Sequence, residues 1–433
     1  MSLCARPDGV GFRRALSGNG VGRVRVVSGA SSALVTQTID MPNVLISGAG
    51  PAGLTAAYWL QRYGFTPTIV ERAPGLVTGG YKIDVRGTAL QVLRRMDIRD
   101  AVVAKSTDMQ GAILVDRDGT VLNEMSGNEF GHRVGNDLEI IRGLLCQILS
   151  DHATGVEFLF GDSIQAITQH TDEVQVEFRA NEPRRFDLLI GADGLHSNVR
   201  RVAFGDEARF LRDLGLYLCV FSVPNYLNLD RVEMQYSELG RVAAVWSARG
   251  DPNMKACFAF TSPSAPIDLR DRGQQEQALT SRYAGIGWEV PRFLEMMPDA
   301  TDFYFDTAAQ VHMDRWSHGR VVLVGDAAYC ASPMSGQGTS LALIGAYVLA
   351  GELAAAKGDS HVAFDSYEKE LRPFVKLNQE LGRESAKVMR SQDDGKVLSG
   401  SATKNIIDRS TRRITRAANA ISLRDYEALS MRG

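Results

Sequence analysis

The sequence Val44-Leu-Ile-Ser-Gly48-Ala-Gly50-Pro51-Ala52-Gly53-Leu54 lies close to a second apolar segment, Thr68-Ile-Val-Glu71-Arg72. The short apolar run at Val44 predicts a buried parallel strand, and the helix-spaced apolar residues that follow Gly53 predict a helix. The second apolar run predicts another strand, which ends in an acid. Together these segments predict a βαβ unit, and therefore an α/β protein with a Rossmann-like domain.

The three glycines of this segment have the G-x-G-x-x-G spacing. Gly48 permits the tight turn, Gly50 lets a pyrophosphate approach the backbone, and Gly53 allows helix and strand to pack closely. The helix that begins near Pro51 and Ala52 turns its free N–H groups and positive dipole end toward phosphates. Glu71 follows Gly48 by 71 − 48 = 23 residues, which suits an acceptor for ribose hydroxyls. The segment predicts a dinucleotide site but does not say which dinucleotide.

The composition is that of an ordinary soluble globular protein. The chain has 433 residues, 44% of them hydrophobic and 23% charged, with a net charge of −3. This near-neutral balance argues against a nucleic-acid partner, and without an apolar run of about 18 residues no membrane span is expected. Five scattered cysteines without C-x-x-C spacing favour reduced thiols in a cytoplasmic protein over disulfides or a zinc site.

The sequence predicts five consecutive regions. Residues 1–40, rich in Arg, Ser and Gly, are expected to be a dispensable, disordered extension, although a transit peptide has the same composition. The first compact strand is expected just after Met41. The predicted regions are 1–40, the extension; 41–206, the first part of the dinucleotide-binding domain; 207–315, an antiparallel substrate-binding sheet; 316–360, the return to the first domain; and 361–433, C-terminal helices.

Aromatic residues recur along the predicted antiparallel strands. Alternate residues of a strand share one face, so such side chains can line a pocket for a flat ligand or form the core of the sheet itself. The sequence leaves both possibilities open for Tyr217, Phe221, Tyr236, Trp246 and Phe258.

Two further motifs accompany the first. Gly191-Ala-Asp193-Gly194 follows an apolar strand and precedes Arg200, and Val324-Gly325-Asp326 follows another strand. Pro333, Gly336-Gln337-Gly338 and a long apolar helix come next. Each motif places glycine or aspartate at the carboxyl end of a predicted strand, where ligands bind in open α/β sheets.

The sequence leaves two alternative roles open for each of two arginines. Arg142 begins a predicted helix, against the preference for acids at that position, so it either meets a phosphate or ribityl oxygen or forms a surface salt bridge. Arg86, in a glycine-containing loop, either contacts a phosphate or substrate or is solvated.

Taken together, the three motifs closely resemble the group A FAD-dependent aromatic hydroxylases, the para-hydroxybenzoate hydroxylase-like family, from about residue 42 to about residue 380. Within that family, the compact chain and the loop from Gly79-Gly80 to Arg86-Gly87 are most similar to tetracycline-inactivating and polyketide monooxygenases. The resemblance implies a Rossmann-like FAD-binding domain, an antiparallel substrate domain and C-terminal helices.

The resemblance also implies the cofactor contacts. The ADP half of FAD would lie on the first motif, a ribityl hydroxyl would donate to Asp326, and Asp193-Gly194 would lie near both FAD and the nicotinamide donor. The flavin ring would lie near Pro333 and Gly336, with the helix after Gly338 pointing its positive end at the ring. The implied cofactor-binding residues are Gly48, Gly50, Pro51, Ala52, Gly53, Glu71, Arg72, Arg142, Asp193, Asp326, Gly336, Gln337 and Gly338.

The sequence departs from the family pattern at two positions near the ring. Ser340 stands where the family usually has Asn, and Gly345 stands where it often has Asp. The shorter side chain at Ser340 is expected to weaken one contact beside the ring, whereas flavin binding itself is still expected.

The implied chemistry belongs to the cofactor. NADPH or NADH would reduce FAD, and O2 would form a C4a-hydroperoxyflavin that oxygenates an aromatic or polyketide-like, possibly tetracycline-like, small molecule. No catalytic side chain and no metal are expected, and His132 and His196 are interpreted as structural or surface residues. The enzyme would be a monomer or homodimer.

Other functions stay open. A reductase or dehydrogenase without oxygen insertion and a non-catalytic flavin-binding protein both fit the motifs. A flavin-dependent halogenase is disfavoured because Trp288-Glu-Val-Pro291 only superficially matches the halogenase signature.

The segment from Asn405 to Leu423 predicts an amphipathic helix, with four arginines on one face and isoleucines on another. A basic amphipathic helix binds anionic membranes or partners, but its apolar face is thin. We therefore expect the isoleucine face to dock across the two domains while the arginines stay solvated.

Overall fold

The computed structural model describes residues 42–238, 240–262, 266–391 and 400–427, together with two short paired strands, Arg23–Arg25 and Thr38–Asp40. Apart from these strands, the expectations for residues 1–40 and for Met41 lie outside the described residues.

A six-stranded sheet forms the centre of the first domain. Its strands are, in spatial order, Ser317–His318, Val321–Leu323, Leu188–Gly191, Asn43–Ser47, Thr66–Glu71 and Glu157–Phe160. All pairs are parallel except the pair at the Ser317 edge. Three adjacent strands end at Ser47, Gly191 and Leu323. Gly48 and Gly325 follow the first and the last of these within two residues, so the three sequence motifs meet at one edge of the sheet, as the pattern predicts.

The helix Gly338–Ala355 is the central helix of this domain. It packs against Pro51–Arg62 and is apolar on every side, as expected for a helix enclosed by protein. It is the one described helix long and apolar enough to cross a bilayer by length and composition, yet 78% of that window is buried inside the protein. Here it therefore serves as a core helix.

A seven-stranded sheet forms the second layer. Its strands are, in spatial order, Tyr304–Val311, Leu211–Pro224, Asn253–Thr261, Arg241–Trp246, Val232–Glu238, Gly111–Val115 and Val121–Ser126. The pairing is antiparallel except where Val232–Glu238 runs parallel to Gly111–Val115. The last two strands form a hairpin that falls within the predicted 41–206 region of the chain but pairs with the sheet of the 207–315 region.

The aromatic residues of this sheet mostly form its own core. Tyr217, Phe221, Tyr236 and Phe258 are buried in one apolar cluster together with helices Arg272–Arg282 and Val290–Met296. Trp246 lies on the opposite face, in a small cluster with Met109 and Ala248. Of the two possibilities left open by the sequence, the sheet core is therefore correct for four of the five.

The remaining elements complete the two layers. In one smaller sheet, Val174–Phe178 is the central strand and pairs with Ile164–Gln169 and with Arg184–Phe186. In the other, Lys82–Val85 pairs with Leu138–Ile141. The other α-helices are Ala89–Arg95, Arg99–Ala104, Gly127–Phe130, Arg142–His152, Asn198–Phe204, Asp326–Tyr329, Ser360–Ser391 and Gly400–Ala418. The short 3-10 helices are Glu207–Arg209, Met297–Asp299 and Pro333–Ser335.

The C-terminal helix docks on the protein through its apolar side. Ala418 and Ile421 are buried, and the Thr88 hydroxyl donates to the carbonyl of Ile421 at 3.0 Å. Arg409, Arg412 and Arg416 are exposed, whereas Arg413 pairs with Glu384. The predicted docking is confirmed on the cofactor-domain side, because this segment contacts the loop at residues 87–88.

Candidate functional site

The glycine-rich turn has no room for side chains at two of its three glycines. Gly48 has a φ of +105°, and a Cβ atom there would lie 2.6 Å from the carbonyl oxygen of Ala192. A Cβ atom at Gly53 would lie 2.0 Å from the carbonyl oxygen of Gly48. A Cβ atom at Gly50 would meet only the Arg142 guanidinium, at 3.3 Å. The turn is thus closed toward the protein and bounded at Gly50 by a cation, which suits a pyrophosphate.

Glu71 is held at the end of its strand by the backbone. Its two carboxylate oxygens accept hydrogen bonds from the N–H groups of Ala49 and Ala73, each at 2.8 Å. Each oxygen keeps a further lone pair, so the carboxylate can also accept from a ribose hydroxyl. Arg72 is exposed beside it.

Arg142 and Asp326 face the same space. The N–H of Arg142 donates to the carbonyl of Tyr81 at 3.0 Å, which fixes the start of its helix. Burial raises the pKa of Asp326, and a hydrogen bond with Cys330 and the charge of Arg142 act against that rise. Within the described part of the chain, no carboxylate forms an ion pair with Arg142. A surface salt bridge therefore does not explain this arginine.

The Asp193 carboxylate forms hydrogen bonds within its own segment of the chain. Its carboxylate accepts from the Ser197 hydroxyl and, at 3.0 Å, from the Val199 N–H. The backbone of Asp193 lies against the Gly48 turn, since a Cβ atom at Gly48 would be 3.0 Å from the Asp193 Cα. Arg200 is fully buried and donates to the carbonyl of Ala327 at 3.0 Å. This segment thus joins the glycine-rich turn to the motif at Gly325-Asp326 through structural contacts.

Gln337 has a buried side chain without a partner. It is fully buried, and neither its amide oxygen nor its amide nitrogen has a hydrogen-bond partner among the described residues. Leaving such a group unsatisfied costs about 1–3 kcal/mol. Gln337 also immediately precedes the helix Gly338–Ala355, and a Cβ atom at Gly338 would lie 3.9 Å from Asp326 Oδ1. A flavin ring, which offers both donors and acceptors along one edge, fits this amide.

The backbone of the loop before Gln337 allows a ligand to approach closely. Ser332 has a φ of +74°, a conformation that is strained for a residue with a side chain. Gly336 has a φ of +62°, and a Cβ atom there would meet no heavy atom within 4 Å. Pro333 and Gly336 are both exposed. The loop therefore presents backbone and open space where the resemblance places the ring.

The two departures from the family pattern have structural causes. The Ser340 hydroxyl accepts from the backbone N–H of Arg86 at 3.1 Å. A Cβ atom at Gly345 would lie 1.9 Å from the Tyr329 hydroxyl oxygen, so no aspartate fits there. In this chain, Tyr329 occupies the volume that a side chain at residue 345 would need.

Arg86 takes neither of the roles expected for it. It is buried, pairs with Asp84 at 2.8 Å, and donates to the carbonyl oxygens of Gly131 at 2.6 Å and His132 at 2.8 Å. Because its guanidinium is engaged within the protein, Arg86 fixes the loop rather than meeting a phosphate or solvent.

A cluster of polar side chains, which the sequence pattern did not predict, lies between the proposed cofactor-binding residues and the seven-stranded sheet. The rings of Tyr81 and Tyr304 have centroids 5.6 Å apart, and the Tyr304 hydroxyl donates to Asp306 at 3.3 Å. His196 contacts Asp306 at 3.2 Å and Glu207 at 2.9 Å, and the hydrogen bond to Asp306 is the main cause that raises its pKa to about 9. The signal available in the sequence was the alternate spacing of Tyr304 and Asp306, which puts both side chains on one face of a strand.

The sheet face turned toward the loop at residue 333 is aliphatic. One cluster joins Met334 of that loop to side chains of two sheet strands and the helix Ser360–Ser391. We call it the apolar patch, and its members are Leu214, Leu216, Leu218, Ala308, Met334, Ala386 and Met389. The patch adjoins the loop that is expected to carry the flavin ring.

Comparisons with known proteins find flavin-dependent relatives. The protein-family model described as FAD binding domain matches residues 41–380. A flavin-dependent monooxygenase of Legionella longbeachae is 41% identical over 339 residues, which span 78% of this chain and 87% of that protein. An uncharacterised protein of Mycobacterium tuberculosis is 47% identical over 342 residues, 78% of this chain and 92% of that protein.

Among solved structures, the crystal structure of tetracycline destructase Tet(55) is similar over the whole architecture. It aligns with a TM-score of 0.82 and 39% sequence identity, covering 89% of this chain and 99% of that chain.

Proposed function

We propose that this protein acts on a flat aromatic or polyketide-like molecule. The chain belongs to the FAD binding domain family and is an FAD-dependent monooxygenase. The observation that carries this proposal is the apolar patch beside the loop at residue 333. Its members Leu218, Met334 and Met389 are only partly buried, whereas the other four are buried. Aliphatic and methionine side chains offer a flat, adaptable surface without fixed polar partners, which suits fused rings. The similarity to a tetracycline destructase supports a tetracycline-like substrate.

In this proposal, residues of the glycine-rich turn and its neighbours hold the cofactor. Glu71 accepts from the ribose, Arg142 meets the pyrophosphate above Gly50, and Asp326 accepts from the ribityl chain. Gln337 uses its unpaired amide on the ring, and the N–H groups at the start of the helix Gly338–Ala355 stabilise negative charge on it. Bound FAD supplies the redox chemistry, taking electrons from NADPH or NADH and activating O2 for transfer of one oxygen atom.

The protein's own contribution is positioning and water exclusion. The apolar patch holds the substrate rings against the loop, while Met334 and Met389 reach it from the loop and from the long helix. Tyr304 lies at the border of the cofactor cleft, the space around the glycine-rich turn, Arg142, Asp326 and Gln337. Its hydroxyl donates to Asp306, so its oxygen is offered as an acceptor to a phenol hydroxyl of the substrate. No side chain is required to act as a nucleophile.

A substrate panel tests this proposal. Tetracyclines, anthraquinones and single-ring phenols are each incubated with the FAD-loaded enzyme and NADPH, and the products are analysed by mass spectrometry. We expect polycyclic compounds to accelerate NADPH oxidation and to gain one oxygen atom. Oxygenation of single-ring phenols alone would contradict the polycyclic assignment.

We place the FAD-binding domain at 41–206, without the hairpin Gly111–Ser126, and at 316–360. The substrate domain comprises 207–315 and that hairpin. The cytoplasm suits the four described cysteines, which are all free thiols. A monomer or homodimer is expected, and light scattering on the purified protein distinguishes the two.

A further inference from the structure

A largely buried lysine joins the small sheet of Lys82–Val85 and Leu138–Ile141 to the seven-stranded sheet. Lys82 donates to the Glu233 carboxylate at 2.5 Å, and 19% of the lysine side chain is exposed. Its ammonium also lies 5.3 Å from the centroid of the Trp246 ring. Glu233 and Trp246 are directly opposite each other on adjacent strands, so one cation contacts both members of a cross-strand pair.

A second contact between the two sheets lies beside this lysine. Ile141 is the partner of Lys82 in the small sheet, and it packs against the cluster that contains Trp246. Glu139, on the same strand as Ile141, lies 3.6 Å from the lysine ammonium. Burial acts to lower the pKa of Lys82, but the charges of Glu233 and Glu139 outweigh it and raise that pKa. The lysine is therefore a charged group between two acids, one on each sheet.

The next residue along each strand of the small sheet lies on the cofactor side. Tyr81 immediately precedes Lys82 in the sequence. Arg142 immediately follows Ile141, and its N–H donates to the carbonyl oxygen of Tyr81 at 3.0 Å. The Tyr81 ring also contacts the Tyr304 ring of the seven-stranded sheet. The contacts of Lys82 and Ile141 are thus one residue away from the arginine that is proposed to meet the pyrophosphate.

A buried ion pair is often only structural, and a second lysine of the same sheet shows the difference. Lys255 is directly opposite Trp246 on the other neighbouring strand, and 11% of its side chain is exposed. It donates to Asp302 at 2.5 Å and to Ser222 at 2.6 Å, and both partners belong to the 207–315 region. Lys255 therefore connects parts of the substrate domain to each other, whereas Lys82 connects that domain to the strand beside the cofactor cleft.

We propose that Lys82 is a positioning residue for the monooxygenase reaction. Through Glu233 and Trp246 it fixes the distance between the sheet that carries the substrate and the strand that leads to the cofactor cleft. Reacting groups must be held to within about 0.5 Å, and a misplacement of about 1 Å can lower a rate about 100-fold. When the distance is wrong, NADPH, a proton and O2 give NADP+ and hydrogen peroxide, and the substrate gains no oxygen. This inference rests on the proposed place of the substrate on the sheet.

The test variant is Lys82→Met/Glu233→Gln, which we call the bridge variant. It removes both charges of the pair, so neither is left buried and unpaired, and Glu139 keeps its ion pair with Arg133 at 2.7 Å. Lys82→Arg retains the cation and should restore most of the parent behaviour. The matched control is Lys255→Met/Asp302→Asn, which removes an equally short ion pair from the substrate domain alone.

The first measurement is the ratio of oxygenated product to NADPH consumed, with a polycyclic compound that the parent protein oxygenates. We expect this ratio to fall about threefold or more in the bridge variant, with hydrogen peroxide accounting for the difference. The control should keep the ratio of the parent protein. Because the ratio does not depend on how much of the protein is folded, a merely structural role of Lys82 would leave it unchanged.

The second measurement is hydrogen exchange on the FAD-loaded protein, which needs no substrate. The amides of residues 81–85 should exchange about tenfold or more faster in the bridge variant than in the parent protein, and at the parent rate in the control. If the parent protein oxygenates no polycyclic compound, the proposed function fails and the exchange rates still decide the role of Lys82. An unchanged product ratio or unchanged exchange in the bridge variant, or equal effects in the control, would overturn the inference.

Discussion

The cofactor cleft is shaped by positions at which the backbone accepts only glycine. In the seven-stranded sheet, by contrast, the role of a side chain depends on the face of the sheet that it occupies. Gly48 and Gly53 each lie against a backbone oxygen, so their spacing alone determines the turn. Tyr217 and Leu218 are neighbours on one strand, yet the first belongs to the sheet core and the second to the apolar patch. Backbone requirements leave a signature in the sequence, but the function of a sheet face depends on what packs against it.

The largest effect is expected in the glycine-rich turn. Replacing Gly53 with Ala would place a Cβ atom 2.0 Å from a carbonyl oxygen, so the turn and the helix must separate. We expect the free energy of unfolding to fall by more than about 4 kcal/mol, with loss of bound FAD. The control is Gly75→Ala, where a Cβ atom meets no heavy atom within 4 Å, and denaturant unfolding measures both. Equal stability of the two variants would show that close packing at Gly53 is unimportant.

The two faces of the sheet should respond differently to truncation. Phe258 is buried against Phe221 and Tyr283, so Phe258→Ala should lower the free energy of unfolding by about 3–5 kcal/mol. Leu218 on the opposite face is only partly buried, so Leu218→Ala should cost about 1–2 kcal/mol and mainly raise the KM for the substrate. Thermal unfolding and steady-state kinetics of both variants check this contrast. A raised KM in Phe258→Ala, with no change in Leu218→Ala, would reverse the assignment of the faces.

The same contrast explains how far sequence reasoning reaches. The central strands, the helix Gly338–Ala355 and the three converging motifs were predicted because each follows from periodicity or turn chemistry. Arg86 could not be placed, since the carbonyl groups of Gly131 and His132 are brought to it only by the tertiary fold. Alternation also showed which aromatic residues share a face, but not that helices cover that face. The unpaired amide of Gln337 and the contact of Tyr329 with Gly345 appear only in three dimensions.

Replacing Asp326 tests a single proposed cofactor contact, whereas replacing Gly53 disturbs the backbone of the whole turn. Asp326→Ala removes the proposed ribityl acceptor but no structural hydrogen bond to the backbone. We expect FAD affinity to fall by about 2–3 kcal/mol, roughly 30- to 150-fold, so that the purified variant is mostly colourless. The ratio of flavin absorbance to protein absorbance measures it, and Asp326→Asn, which keeps an acceptor oxygen, should retain more flavin. Full flavin occupancy in Asp326→Ala would remove this residue from the site.

The smallest effect concerns the junction of the two regions, where His196 meets Asp306 and Glu207. Its pKa is raised from 6.5 to about 9, so its contribution to stability is complete below pH 6.5 and is lost as the pH rises to about 9. Because 43% of the side chain is exposed, screening reduces this contribution to about 1 kcal/mol. Unfolding measured between those pH values should show the loss in the parent protein and a flatter profile in His196→Asn. Identical profiles would show that this histidine is not coupled to the two acids.

The central claim is that the cleft activates O2 on FAD and delivers one oxygen atom to a flat ligand on the apolar patch. Its most direct test is the visible spectrum of the purified protein with NADPH and tetracycline in isotopically labelled O2, followed by mass spectrometry of the product. The account predicts flavin bands that bleach and recover, and a product that carries one labelled oxygen. NADPH oxidation that yields only hydrogen peroxide with every polycyclic compound offered, or a protein without flavin bands, would contradict it.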